Sequence, residues 1–329
     1  MKPQGIQMVY RTILVPLDGS SLSERGLPMA ATVAQATGAQ LVLAQVVRTS
    51  AVDPGEAQGE AEEEVKRYLA GIASQLGEQG LRVEITMPTG TPVEGILSEL
   101  ELRQADLVVM CTHGRSGLRR WFYGSVAEGV LARSPVPVLL ARPADLVVMS
   151  PPELGWPRLL VPLDGSAFAE AVLPHAKALA QALDGTIVLL QAVVLRIPRT
   201  PELFLVSTWQ RIVEEETVRA ENYLAKVAEH LKQDGLRVQT VVRCVQTVVE
   251  SGAAAEVILQ EKGRPAGTGL VVMATHGRTG LKRLLFGSVA MAVLQRGLRP
   301  LLLLRPVGLP QLSPEGNDGV VMSEGLRRT

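Results

Sequence analysis

LVVMCTHGRSGLRRWFYGSVAEGVL, Leu107 to Leu131, and LVVMATHGRTGLKRLLFGSVAMAVL, Leu270 to Leu294, are two copies of one stretch. Each opens with a short apolar run that reads as a strand buried on both faces. Each then passes through a loop of Thr, His, Gly and a basic residue, and closes on Gly-Ser before an apolar helical pattern. Such an arrangement suits an anion. The first N–H groups of a helix lack intrahelical acceptors, and the helix dipole favours negative charge there.

The duplication reaches outward from this stretch. ILVPLDGS at Ile13–Ser20 matches LLVPLDGS at Leu159–Ser166, an offset of 146. Tyr68-Leu69 matches Tyr223-Leu224 at 155, and Gly114 matches Gly277 at 163. The second copy therefore carries nine extra residues after its second strand and eight more later, seven of them around Cys244–Glu250. These are expected in connections, where a retained core tolerates added length.

Along the first copy, Thr12–Ser20 reads as a strand that ends near Pro16. A helix over about 22–37 follows, with Ser20 or Ser21 as its cap and Gly38 as its stop. Next come a strand at Leu41–Val47, an exposed loop at Arg48–Gly59, a charged helix over about 60–78 and a strand at Leu81–Met87. Gly90-Thr91-Pro92 opens a helix through Leu102. The strand Leu107–Met110, the Gly-Ser helix and the strand Pro135–Pro143 complete the copy. Strands alternating with helices predict an α/β fold: two repeated, doubly wound domains, each on a parallel sheet. The expected boundaries are 1–143 and 158–306, a linker at 144–157 and a disordered tail at 307–329. The last strands, near Pro135–Arg142 and Pro300–Arg305, are apolar edges that need cover. The copies are therefore expected to pack on each other there as an internal pseudo-dimer.

At 329 residues, 47% hydrophobic and 20% charged, the chain reads as two compact globular domains. Aromatics make up 3%, so the cores must be aliphatic. The 33 basic residues equal the 33 acidic ones, which argues against nucleic acid as a partner through bulk charge. Cys111 and Cys244 sit in different copies, with no metal or disulfide spacing. The start MKPQGIQMVYR has no signal-peptide core. The longest apolar runs, such as Thr186–Leu195, are about half of the roughly 20 residues that a membrane span needs. The cytoplasm is the default expectation, without a membrane partner.

No GxxxxGK[ST] loop, no GxGxxG after a strand and no GxSxG elbow is present. His113, His175, His230 and His276 form no HExxH. Nothing in these patterns demands an enzyme.

ILVPLDGS at the start, GTP or GAA before the third helix, and THGRxGL…GS near the end together resemble the universal stress protein family, over nearly the whole of both copies. The resemblance implies an open, five-stranded, Rossmann-like parallel sheet with helices on both faces, as in the adenine nucleotide alpha hydrolase-like folds. One branch of that family binds ATP and carries the motif G-x-x-G-x9-G-[ST]. Here the motif gives Gly114, Gly124 and Ser125 in the first copy, and Gly277, Gly287 and Ser288 in the second. The leading glycine is replaced by Cys111 and by Ala274. A side chain costs something where backbone must lie against a ligand, and Cys is bulkier than Ala.

The family's other nucleotide contacts then fall on Pro16, Leu17, Asp18, Val46, Met110, Cys111 and Val126, and on Pro162, Leu163, Asp164, Ala192, Met273, Ala274 and Val289. Their placement at strand ends agrees with where ligands lie in open α/β sheets. The implied cofactor is ATP, with or without magnesium, in a regulatory stress-response module with little or no catalysis. The alternative is a nucleotide-free structural or interaction protein of the same fold. A homodimer is a further assembly either would allow.

Several residues keep two readings. Ser125 and Glu128 can form a capping box that satisfies the helix start without a ligand, whereas Ser288 is followed by Met291 at the equivalent place. Arg115, Arg119, Arg120, Arg278, Lys282 and Arg283 are either a solvated loop or phosphate-facing. Asp18 and Asp164 are either turn-formers or adenine-side acceptors. His113 and His276 read as loop-ordering, and Cys111 as a small buried residue.

Overall fold

The computed structural model of the chain describes residues 10–47, 56–111, 124–141, 158–197, 206–247, 252–262, 269–275, 286–297 and 299–306. The first copy supplies β1 (Thr12–Pro16), β2 (Gln40–Ala44), β3 (Val83–Thr86), β4 (Leu107–Cys111) and β5 (Val138–Ala141). The second supplies β6 (Arg158–Pro162), β7 (Thr186–Arg196), β8 (Arg237–Thr247), β9 (Leu270–Ala274) and β10 (Leu301–Leu304). They form one ten-stranded sheet in the order β3-β2-β1-β4-β5-β10-β9-β6-β7-β8. Each half is parallel, as βαβ connections require. The halves join antiparallel, with Leu140 opposite Leu301, Leu139 opposite Leu302 and Val138 opposite Leu303. The two apolar edges thus cover each other. Arg305 strengthens the join by donating from Nη1 to the Ala132 carbonyl.

Period-two alternation explains why both faces of the sheet carry helices. Val15, Leu43 and Val109 face one side with Met29 and Leu69, whereas Leu14, Val42 and Val108 face the other with Ile96 and Val130. The first-copy helices are α1 (Leu27–Thr37), α2 (Glu56–Glu78), α3 (Pro92–Leu102) and α4 (Ser125–Arg133). The second-copy helices are α5 (Ala167–Glu170), α6 (Leu173–Ala182), α7 (Val206–Gln233), α8 (Ala253–Lys262) and α9 (Ser288–Arg296).

The single helix expected over 22–37 is divided. A 3-10 turn, Ser23–Gly26, precedes α1, and α1 carries Pro28 in its first turn, where a missing N–H costs nothing. Gly38 does end α1, at φ 73°, with its N–H bonded to the Ala34 carbonyl at 2.8 Å.

The expectation that the second copy's extra residues lie in connections needs correction. β7 and β8 run 11 residues each and pair along their whole length, from Thr186 opposite Arg237 to Arg196 opposite Thr247. Their first-copy counterparts pair only from Leu41–Val83 to Ala44–Thr86, with one further bridge between Val47 and Thr89. Part of the added length, Cys244–Thr247, continues β8 alongside β7, because backbone groups that continue a ladder satisfy one another. Side chains hold it: Arg243 Nε donates to Glu261 at 2.9 Å, and Trp209 Nε1 donates to Gln246 at 3.0 Å. The proposed linker and tail lie outside the described residues.

Candidate functional site

A cavity of about 230 Å³ opens beyond the carboxyl ends of β6 and β9 and beside the middle of β7, where strand order reverses between β6 and β9. Pro162, Leu163 and Asp164 enter it from the end of β6, and Leu190 and Ala192 from β7. Met273, Ala274 and Thr275 come from the end of β9, and Gly287, Ser288, Val289 and Ala290 from the start of α9. Ala254 and Ile258 of α8 and Ala169 of α5 complete the lining. Of the second-copy residues named from sequence, all but Gly277 stand around this space; Gly277 lies outside the described residues, as does Gly114.

The backbone explains how these residues converge. The Leu163 N–H bonds the Leu190 carbonyl at 2.8 Å, which holds the end of β6 against the middle of β7. The Thr275 N–H bonds the Leu304 carbonyl at 2.8 Å, and the Gly287 N–H bonds the Thr275 carbonyl at 2.7 Å. The start of α9 is thereby tied to the end of β9. Gly287 is the residue before the helix, and the first intrahelical bond runs from the Met291 N–H to its carbonyl at 2.9 Å. Ser288, Val289 and Ala290 occupy the first turn, whose N–H groups have no intrahelical acceptor.

Asp164 builds its own turn. Its Oδ1 accepts from the Ser166 N–H at 3.0 Å and from Ser166 Oγ at 2.6 Å, and Ser166 Oγ accepts from the Ala169 N–H at 3.2 Å. The turn-forming reading therefore holds, and the same residue also lines the cavity. The site has apolar walls at Leu190, Ile258, Met273 and Val289, and main-chain donors at one end. Such a place takes a flat apolar body attached to an anion.

The first copy repeats the framework. The Leu17 N–H bonds the Ala44 carbonyl at 2.8 Å, and Asp18 Oδ1 accepts from the Ser20 N–H at 3.0 Å. Pro16, Leu17, Asp18 and Val46 lie at the ends of β1 and β2, Met110 and Cys111 at the end of β4, and Gly124, Ser125 and Val126 at the start of α4. The capping box expected at Ser125 is not formed. Gly124, at φ 33°, precedes the helix, Ser125 is its first residue, and no side chain caps it. A box needs the serine one position earlier. Arg115, Arg119, Arg120, Arg278, Lys282, Arg283, His113 and His276 lie outside the described residues. Among the described residues, no group of three or more His, Cys, Asp or Glu could hold a metal ion.

Sequence reasoning missed Ala169, Leu190, Ala254, Ile258, Thr275 and Ala290. Two signals were available: Leu190 sits two residues before Ala192 on the same strand face, and Ala254 and Ile258 are four apart on one helix face.

The family described as the universal stress protein family matches residues 9–142 and again 155–305. Universal stress protein Rv2005c of Mycobacterium tuberculosis is 27% identical over 311 residues, covering 89% of this chain and 96% of that protein. Universal stress protein MJ0531 of Methanocaldococcus jannaschii is 32% identical over 141 residues, 41% of this chain and 83% of that one. A solved universal stress protein from Archaeoglobus fulgidus shares the fold with a TM-score of 0.66 at 20% identity, covering 91% of this chain and 99% of its own. With both matched segments falling on the duplicated sheet halves, the chain belongs to the universal stress protein family, with two such domains in tandem.

Proposed function

We propose that the second-copy cavity binds an adenine nucleotide and that the chain works as a ligand-responsive stress-response module in the cytoplasm, with little or no turnover. The observation that carries this reading is the convergence of strand-end residues and the α9 start on one cavity. The base fits the apolar space between β6, β7 and α8. The phosphates fit the first turn of α9, where exposed Ser288 stands at the mouth. Ala274 takes the place of a glycine in the nucleotide-binding motif, yet it lines a cavity that remains open, so one methyl is compatible with a ligand. Magnesium would enter with the phosphates, because Mg²⁺ keeps several waters and is held largely through phosphate oxygens.

Calorimetric titration with ATP and magnesium tests the proposal. At a ligand excess of about 100-fold over the dissociation constant, binding stabilises the folded chain by roughly 2.7 kcal/mol. No heat and no thermal shift at millimolar ATP rejects it. Steady conversion of ATP to ADP that Asp164→Asn abolishes would assign turnover instead. The bulkier side chain at Cys111 favours a second reading, a nucleotide-free interaction protein, whose melting is the same with and without ATP.

A further inference from the structure

The two copies line their strand-end sites with different side chains. Ala169 and Ala274 stand together at the second-copy cavity, on the side of α5 and β9. Their first-copy counterparts are Ser23 and Cys111. Cys111 pairs with Ala141 in β5 as Ala274 pairs with Leu304 in β10, and Ser23 follows Asp18 by five residues as Ala169 follows Asp164.

Both larger side chains are fixed. Ser23 Oγ accepts from the Asp18 N–H at 3.3 Å and donates to the Ser20 carbonyl at 2.8 Å. Cys111 is 7% exposed and packs in the same core layer as Leu17 and Met29. The 3-10 turn that carries Ser23 lies against the backbone of β4 here: a Cβ on Gly26 would come within 3.7 Å of the Cys111 main-chain nitrogen. A serine held by two bonds and a buried thiol in a packed core layer have little room to retreat from an incoming ligand. Val46 and Pro92 likewise stand where the second copy has Ala192 and Ala254, and only Ala44 for Leu190 makes the first copy smaller.

Resting on the nucleotide reading above, we infer that the chain binds a single adenine nucleotide, in its second copy. Ala169 and Ala274 select that copy by leaving open the space that Ser23 and Cys111 fill in the first. The first copy is then a retained scaffold half, and the two domains have divided labour.

Titration calorimetry of the full chain with ATP and magnesium tests this in three proteins. The natural chain is expected to show a single site. The opened variant, Ser23→Ala with Cys111→Ala, is expected to gain a second. The filled variant, Ala169→Ser with Ala274→Cys, is expected to bind at least about tenfold more weakly, while its nucleotide-free melt reports whether it folds. Two equivalent sites in the natural chain, or undiminished binding by a folded filled variant, overturn the inference. Should the filled variant not fold, the gain or absence of the second site in the opened variant decides alone. If no protein binds ATP, the nucleotide reading falls and the selection with it, which is a different result from binding at both copies.

Discussion

The phenol oxygen of Tyr10 stands 3.0 Å from Nδ1 of His175, and the two rings stack with centroids 5.9 Å apart and planes 22° from parallel. Tyr10 precedes β1 in the first copy and His175 lies on α6 in the second, so this contact bridges the halves at a place far from the β5–β10 pairing in sequence. Tyr10 is fully buried; that burial, with the Asp106 carboxylate nearby, pushes its pKa well above the usual phenol value. Burial also pushes His175 below the ordinary imidazole value. A neutral phenol donates and a neutral imidazole accepts at Nδ1, a tautomer inferred from the pairing.

Folding stability therefore depends on pH through His175. Its folded pKa is depressed, so its contribution is intact above the unfolded value of about 6.5 and is lost as pH falls through the window beneath it. Melting temperature should drop between about pH 7 and pH 5, and the drop should shrink in His175→Met. Methionine is the natural control, because Met29 holds the corresponding buried position in the first copy. Parallel pH profiles for the two proteins would remove His175 as the cause.

Tyr68 donates to Glu24 at 3.0 Å, and Tyr223 donates to Glu170 at 2.8 Å. The duplication kept one bond twice, each tying the long helix of its copy (α2 or α7) to the turn after the first strand. Tyr68→Phe and Tyr223→Phe should each cost about 1.5 kcal/mol in urea unfolding, since the acceptor is charged. The double variant should cost the sum, because the pairs share no partner. A change under a few tenths in both would show the bonds to be idle.

Glycines in helices separate by what surrounds them. A Cβ on Gly129 would fall 2.7 Å from a Val93 methyl, and one on Gly95 would fall 2.8 Å from a Val46 methyl. Valine is stiff at χ1, so Gly129→Ala should destabilise by about 1–3 kcal/mol less the helix-propensity gain of about 1 kcal/mol. At Gly71 and Gly77 a Cβ meets nothing within 4 Å. Alanine there should raise stability by up to about 1 kcal/mol. Thermal melts of the three single variants check the order, and a stabilised Gly129→Ala would contradict the packing.

Leu302 is fully buried opposite Leu139 at the join of the halves. Leu302→Ala should cost about 2–5 kcal/mol. Because the join is continuous sheet, the loss should shift one transition of the whole chain in denaturant. A biphasic curve in which only the second copy moves would show the halves to be independent.

The alternation of strands and helices, the duplication and the end of β1 at Pro16 could all be read from the chain, since each rests on local pattern. The edges near Pro135 and Pro300 were legible as surfaces needing cover, and each supplies the strand that pairs with the other. The extension of β7 and β8 was not. Offsets count added residues, but only a partner strand decides whether they continue a ladder. Local competition hid other details. Ser125 looked like a cap, yet the chain places Gly124 there, and the Ser23–Gly26 turn precedes a helix that sequence periodicity extends through it. At the site, the motif located one face of the cavity. The opposite wall, Ala254 and Ile258, comes from a helix whose docking depends on the folded sheet.

Strands of the two halves run in opposite senses because β5 and β10 meet antiparallel. Every parallel sheet offers its ligand only one rim, so the two strand-end sites of this chain open on opposite rims of a common slab. No molecule held at one can touch a molecule held at the other. Any message between them must be carried through the contacts that join the halves, the leucines of the seam and the Tyr10–His175 pair, as a change in how one half braces its neighbour.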